Sequence, residues 1–196
     1  YQNQLRLLGI SEESFNTINE AAYYYADLAK LFCNEDGAQR PSDETLIAYA
    51  ADNGYCTAKT LYVRTSGLDE AALAEKRSQL EAAAEQLRAA EDKDAAYLEL
   101  AASLGIETNG SALTFRASDV SDAAAEILSP LQSGEVSDIV EGSDVLYVFL
   151  MQEPDCTALD QYYFKHLVSD AQTQSLIHIS RIRLQLEINT SWSQYK

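Results

Sequence analysis

The segment from Leu131 to Gln152 constrains the fold of this chain more than any other. Pro130 ends the helical pattern before it, because proline lacks an amide hydrogen and its ring clashes with the preceding turn. Gly134 predicts a turn. The residues after it predict two strands, over 135–140 and 144–152, the second rich in β-branched and aromatic residues.

The residues before this segment predict the rest of a small α+β domain. Residues 55–65 are typical of a strand, and residues 69–91 are rich in strong helix formers. The remaining elements are a helix over 95–104, an extended segment over 113–116, and a helix through Leu128 capped by Ser118 or Ser121. This order predicts a small, mainly antiparallel, four-stranded sheet packed with helices.

Helical patterns flank this domain on both sides. Residues 11–32 carry one apolar stripe at three- and four-residue spacing, and a second helix is predicted from Pro41 to Gly54. After Pro154 the sequence predicts a helix over 158–168 and a strand over 182–188, whereas 175–183 fit no recognisable pattern. The predicted organisation is a helical segment over 1–54, an inserted α+β domain over 55–155, and a segment over 156–196 that packs with the first helices.

Composition excludes several classes of function. The net charge of −17 disfavours binding to nucleic acid or anionic lipid. A metal site is not expected, because His166 and His178 are twelve residues apart and none of the three cysteines forms a CxxC pair. Two arrangements of the cysteines stay open: a Cys56–Cys156 disulfide at the neck of the inserted domain, or free thiols including Cys33.

The tetrapeptide Gly134-Glu-Val-Ser137, together with the order of elements from Tyr55, resembles the parvulin-type peptidyl-prolyl isomerases. The flanking helices resemble those of the PrsA and SurA type of extracytoplasmic foldase. This resemblance implies unfolded or proline-containing polypeptide clients, no cofactor, and a secreted or surface-lipoprotein location with the signal in a precursor. It also leaves open a homodimer formed by exchange of the flanking helices.

The family holds the proline ring in a pocket of large apolar side chains, beside two histidines that face each other from the first and last strands. By this resemblance, the histidine positions hold Thr60 and Leu146. The substrate-binding positions are Leu113, Phe115, Val120 and Ala124, and the last two are smaller than their family counterparts. The lost apolar area weakens proline binding by about 1–2 kcal/mol at ~25 cal/mol per Å².

Two functions therefore fit the sequence. The first is a folding factor that binds extended peptide, with isomerase activity weak or lost. The second is a non-catalytic interaction module that uses the parvulin fold as a scaffold, with binding that depends on salt and ignores proline.

Overall fold

The computed structural model describes residues 29–30, 32–33 and 36–169. The predictions for residues 11–28 and 170–196 lie outside the described residues. The chain divides into two compact units, one of Asp43–Leu159 and one of Tyr1–Ser42 with Asp160–Lys196.

The helices begin and end at local signals in the sequence. They are α1 (Asp43–Asn53), α2 (Glu70–Ala89), α3 (Lys93–Ser103), a 3-10 turn (Ala117–Asp119), α4 (Asp122–Leu128) and α5, which covers residues 156–169 of the described part. The side chains of Asp69, Asp92 and Ser121 accept hydrogen bonds from the first turns of α2, α3 and α4. Of the two caps that the sequence allowed for α4, Ser121 is the one used.

The strands are β1 (Tyr55–Arg64), β2 (Leu113–Arg116), β3 (Val140–Glu141) and β4 (Val145–Met151), and they form one sheet in the order β2-β1-β4-β3. Every neighbouring pair is antiparallel. The predicted α+β class, with a small four-stranded sheet, is confirmed.

The strand predicted over 135–140 is wrong in extent. Only Val140 and Glu141 form a regular strand, and Val136 contributes an isolated bridge to Leu150. The cause is Ser137, whose hydroxyl accepts a hydrogen bond from the Phe149 amide at 2.9 Å and donates one to the Asp138 carbonyl at 2.7 Å. A side chain thus replaces a main-chain bond of the ladder, so regular pairing stops there.

The two faces of the sheet carry separate apolar clusters, because successive side chains of a strand point to opposite faces. The core face packs on α2 and α3 and contains Leu61, Val63, Leu146, Val148 and Leu150 from the strands. The other face packs on the 3-10 turn and α4 and contains Ala58, Val140, Phe149 and Met151.

In the second unit, Phe32 stacks on Phe164 with ring centroids 5.6 Å apart, and Arg40 pairs with the buried Asp160 at 3.4 Å. Burial, followed by the nearby Asp160 carboxylate, raises the pKa of the Cys33 thiol. Among the residues that the structure describes, no helix has the length and apolar character needed to cross a bilayer.

Candidate functional site

The pairing of β1 with β4 places Thr60 among aromatic rings. Its direct partner across the ladder is Phe149, and the partner of Tyr62 is Tyr147. Tyr147 is therefore the diagonal neighbour of Thr60 on the same face. The rings of Tyr147 and Phe149 stack with centroids 5.7 Å apart.

Three of the four predicted substrate-binding residues meet on this face. Phe115 lies against Phe149 with ring centroids 5.4 Å apart, Val120 is half-buried, and Ala124 is fully buried below them. We call this surface the aromatic face and define it by Thr60, Phe115, Val120, Ala124, Tyr147 and Phe149.

Leu113 lies beside the aromatic face at the edge of the sheet. It is the ladder partner of Ala58, so its side chain points to the same side as that of Phe115. Its side chain is 67% exposed, the largest exposure among the big apolar residues that the structure describes. An exposed leucine next to the half-buried rings of Phe115 and Tyr147 offers apolar area to a ligand without being needed for the core.

The structure does not bring Leu146 and Thr60 together. Leu146 pairs with Val63 and is only 4% exposed in the core face, on the opposite side of the sheet from Thr60. Two side chains on opposite faces cannot face each other, so the residues of β4 that share a face with Thr60 are Tyr147 and Phe149. The pairing of β1 with β4 identifies Tyr147. The sequence alone does not, because β4 is apolar on both faces and shows no alternation of polar and apolar residues.

The turn before β4 makes room for Tyr147. A Cβ atom built on Gly142 would lie 2.8 Å from Cε2 of Tyr147. The Tyr147 ring therefore occupies space that the side chain of any residue other than glycine at position 142 would need. A cavity of about 430 Å³ adjoins this ring and is lined by Tyr62, Arg64, Ser66, Asp144, Val145 and Tyr147. The aromatic face is therefore open to solvent at its Tyr147 end.

The Gly134–Ser137 motif holds β4 in place. Gly134 adopts a φ of 82°, which glycine reaches without strain, and its carbonyl accepts a hydrogen bond from the Lys93 ammonium at 2.6 Å. The Ser137 carbonyl accepts one from Arg88 at 2.6 Å, while its hydroxyl binds the Phe149 amide. The motif thus positions Phe149, an aromatic residue of the site.

The chemistry available on the aromatic face is that of hydroxyls and aromatic rings. The only histidines of the chain are His166 and His178. His166 is on α5, and His178 lies outside the described residues. Within the described part, no group of three His, Cys, Asp or Glu side chains is placed to hold a metal ion.

A second groove, of about 650 Å³, runs between α1, α4 and the end of β4, and Cys56 is among its lining residues. Burial raises the pKa of the Cys56 thiol to about 11. The thiol donates a weak hydrogen bond to the Phe115 carbonyl at 3.8 Å. Cys56 is not part of a disulfide, so the clamp between Cys56 and Cys156 is not formed.

The four-stranded antiparallel sheet, the order of its helices and the turn at Gly134–Ser137 together form a small α+β domain. The model of the PPIC-type PPIASE domain family matches residues 53–166, which is more than half of the chain. The chain therefore belongs to the parvulin-type peptidyl-prolyl isomerase family. No curated protein shows significant similarity to it. Membership makes proline-containing peptides the substrate class to consider.

Proposed function

We propose that this chain is a folding factor of the PrsA and SurA type, which binds unfolded or extended polypeptide and has weak or no prolyl isomerase activity. The observation that carries this proposal is the aromatic face, which combines the half-buried rings of Phe115 and Tyr147, packed on the buried Phe149, with the absence of histidine from β1 and β4. The face keeps apolar area for a client and lacks the imidazoles that the family places there.

Catalysis and binding make different demands on such a site. Rotation about an X–Pro bond crosses a barrier of about 18–20 kcal/mol, and an enzyme accelerates it only by binding the twisted amide better than the planar one. The hydroxyls of Thr60 and Tyr147 differ from two facing imidazoles in shape and in acid–base character. Rings that are apolar with one polar tip still suit a peptide ligand, so binding is expected to persist when catalysis is lost.

The remaining parts of the proposal concern the setting of the domain. The helical segments around residues 55–155 suit a foldase in which both flanks form one client-binding module, and exchange of these flanks between two chains would give a homodimer. The strongly acidic surface suits clients that are unfolded and cationic. We place the protein outside the cytoplasm, as a secreted or surface-anchored lipoprotein; identification of a signal peptide in the complete gene tests this.

The central experiment measures binding and turnover on the same peptide. A blocked peptide with an Ala-Pro bond is added to the 15N-labelled chain. We expect shifts at the amides of the aromatic face, and cis–trans exchange of the peptide no more than a few times its spontaneous rate. Turnover comparable to that of an active parvulin would overturn the weak-activity clause, and the absence of shifts at Tyr147 and Phe149 would overturn peptide binding.

A matched pair of variants locates the binding surface. Leu113→Ser removes an exposed leucine beside the aromatic face, and Ile47→Ser removes an isoleucine that is 44% exposed on α1. Each leaves the core intact, so neither should change the unfolding midpoint. We expect Leu113→Ser to weaken peptide binding by about 1 kcal/mol for the lost apolar contact and Ile47→Ser to leave it unchanged.

The second function, a non-catalytic interaction module, is favoured by the fully buried Ala124, which leaves little depth for a proline ring. Its signature is binding that weakens with salt and does not change when proline in the peptide is replaced by alanine. A salt titration with the two peptides separates this module from a foldase.

A further inference from the structure

The first strand of the sheet has an edge that is only partly covered by the other strands of the described residues. β1 pairs with β4 from Ala58 to Arg64, but it pairs with β2 only from Tyr55 to Ala58. Beyond Ala58, the side of β1 that faces away from β4 has no neighbouring strand within residues 36–169. The uncovered edge is defined here as residues 60–64.

The hydrogen bonds of the ladder show which main-chain groups point to this edge. Thr57 accepts from the Gln152 amide and Thr65 donates to the Asp144 carbonyl, each at 2.8 Å, so the odd-numbered residues of β1 bond to β4. The even-numbered residues therefore point the other way. The 2.9 Å bond from the Ala117 amide to the Gly54 carbonyl, on the β2 side, marks the same alternation.

Tyr62 and Arg64 are the residues of the edge whose main-chain N–H and C=O groups point away from β4. In the part of the chain that the structure describes, no hydrogen bond satisfies their N–H or C=O groups. The carbonyl of Thr60 is the exception, since it accepts from the Tyr97 hydroxyl at 3.3 Å. A row of unpaired N–H and C=O groups at regular spacing is the template on which a further strand can be added.

Open space lies directly beside these groups. A groove of about 630 Å³ is bordered by Tyr62, Val63 and Arg64 on one side and by Lys76 and residues 104–107 on the other. The loop after α3 therefore flanks the edge but makes no main-chain hydrogen bond to it in the described part. A strand laid in this groove would continue the line of β2.

The charge of the groove selects a kind of partner. Arg64 and Lys76 are both exposed there, against one carboxylate from Glu107. Arg64 has no ion-pair partner among the described residues, and the Lys76 ammonium donates to the amide oxygen of Gln79 at 3.2 Å. Two cations on the rim are unusual in a chain with a net charge of −17, and they complement a carboxylate side chain.

We propose that the uncovered edge binds an extended client segment as an added strand, antiparallel to β1 and in line with β2, with Arg64 and Lys76 receiving an acidic side chain of that segment. This rests on the proposed function: a client that is cationic overall suits the acidic surface, and one acidic side chain of its bound segment meets these two cations. Thr60 belongs both to the edge and to the aromatic face. A client held on the edge therefore has part of its length beside the rings.

Amide hydrogen exchange of the full chain tests the edge. The probe is a blocked, proline-free peptide of about six alternating valine and threonine residues with one central glutamate. In the free chain, the Tyr62 and Arg64 amides should exchange fast and those of Leu61 and Val63 slowly. With peptide, Tyr62 and Arg64 should become protected at least about tenfold, while Leu61 and Val63 serve as internal controls that stay slow.

Methylation of the peptide amides tests the pairing without altering the protein. N-methylation of one alternate set of residues should weaken binding by about 2- to 12-fold for each lost hydrogen bond, and methylation of the other set should leave it unchanged. Equal effects of the two sets would overturn the added strand. Slow exchange of Tyr62 in the free chain would overturn the open edge.

Replacing the glutamate of the peptide by glutamine tests the charge argument. The glutamate peptide should bind roughly two- to fivefold more tightly. The double variant Arg64→Gln, Lys76→Gln should abolish this difference and keep the protection of Tyr62. A difference that survives the double variant would overturn the assignment of the acidic side chain to these two cations.

The result also separates this inference from the proposed function. If the Ala-Pro peptide shifts the amide resonances of the aromatic face and no peptide protects the Tyr62 amide, Arg64 and Lys76 only keep other strands from pairing with the edge. In that case the inference is wrong and the proposed function stands. If neither peptide binds, both fall.

Discussion

Placing histidines on the sheet is expected to have opposite outcomes at Leu146 and at Tyr147. We consider two double variants, Thr60→His with Leu146→His, and Thr60→His with Tyr147→His. The first puts its two imidazoles on opposite faces, and the second puts them at diagonal positions of one face. Only the second can recreate a facing pair.

The structure gives the expected loss of stability for each. Leu146 is 4% exposed and packs in the core face with Leu61 and Leu80. Removing a buried leucine side chain costs about 2–5 kcal/mol, and an imidazole nitrogen left there without a partner adds about 1–3 kcal/mol. We therefore expect Leu146→His to lower the free energy of unfolding by at least about 3 kcal/mol. Tyr147 is only half-buried, and its exchange forfeits about 1 kcal/mol of ring stacking on Phe149.

Urea unfolding measures these losses, and NMR exchange on an Ala-Pro peptide measures activity. The expected result is a folded variant with raised exchange for Thr60→His with Tyr147→His, and a strongly destabilised, inactive variant for Thr60→His with Leu146→His. The reasoning from the ladder is refuted if the Leu146 variant keeps the wild-type midpoint and gains activity while the Tyr147 variant does not.

Three further predictions concern the support of the site. Ser137→Ala leaves a main-chain amide of β4 unsatisfied and should cost about 1–3 kcal/mol in urea unfolding, whereas Ser129→Ala at an exposed position should cost nothing measurable. Gly142→Ala places a Cβ 2.8 Å from the Tyr147 ring and should shift the aromatic proton resonances of that ring and lower stability by about 1–3 kcal/mol. The pKa of Cys56 is raised from 9.0 to about 11, so the folded chain holds this proton more tightly than the unfolded chain between these values. Stability should therefore fall as pH rises from 9 to 11, and Cys56→Ala should flatten that part of a pH series of unfolding midpoints.

Most of the fold could be predicted because its signals are local. Asp92 caps α3 through its own side chain, and Gly54 ends α1 with a φ of 69°; both effects act within a few residues. The strand over 135–140 could not be predicted correctly, since the bond that interrupts it joins Ser137 to Phe149. That contact exists only after β4 has folded against the turn.

The candidate site was predictable in part for a similar reason. Phe115, Val120 and Ala124 meet because β2 and α4 follow each other closely in the chain. Leu146 is adjacent in sequence to Tyr147, and a one-residue slip in a strand moves a side chain to the other face. The uncovered edge was not predictable either, because it depends on β2 being shorter than β1. The sequence of β1 does not determine the length of the strand that pairs with it.

The separation of the two faces explains how the chain can belong to this family without histidine on its sheet. Leu61, Val63 and Leu146 hold the sheet to α2 and α3, and none of them reaches the aromatic face. Much of the stability of the fold should therefore come from residues on the side of the sheet away from the aromatic face. On the aromatic face, substitutions at the half-buried Thr60, Phe115 and Tyr147 should cost less folding free energy than substitutions at the buried Ala124 and Phe149. The same packing explains why β2 need not cover the whole length of β1 in the described part of the chain, since the sheet is anchored through its core face.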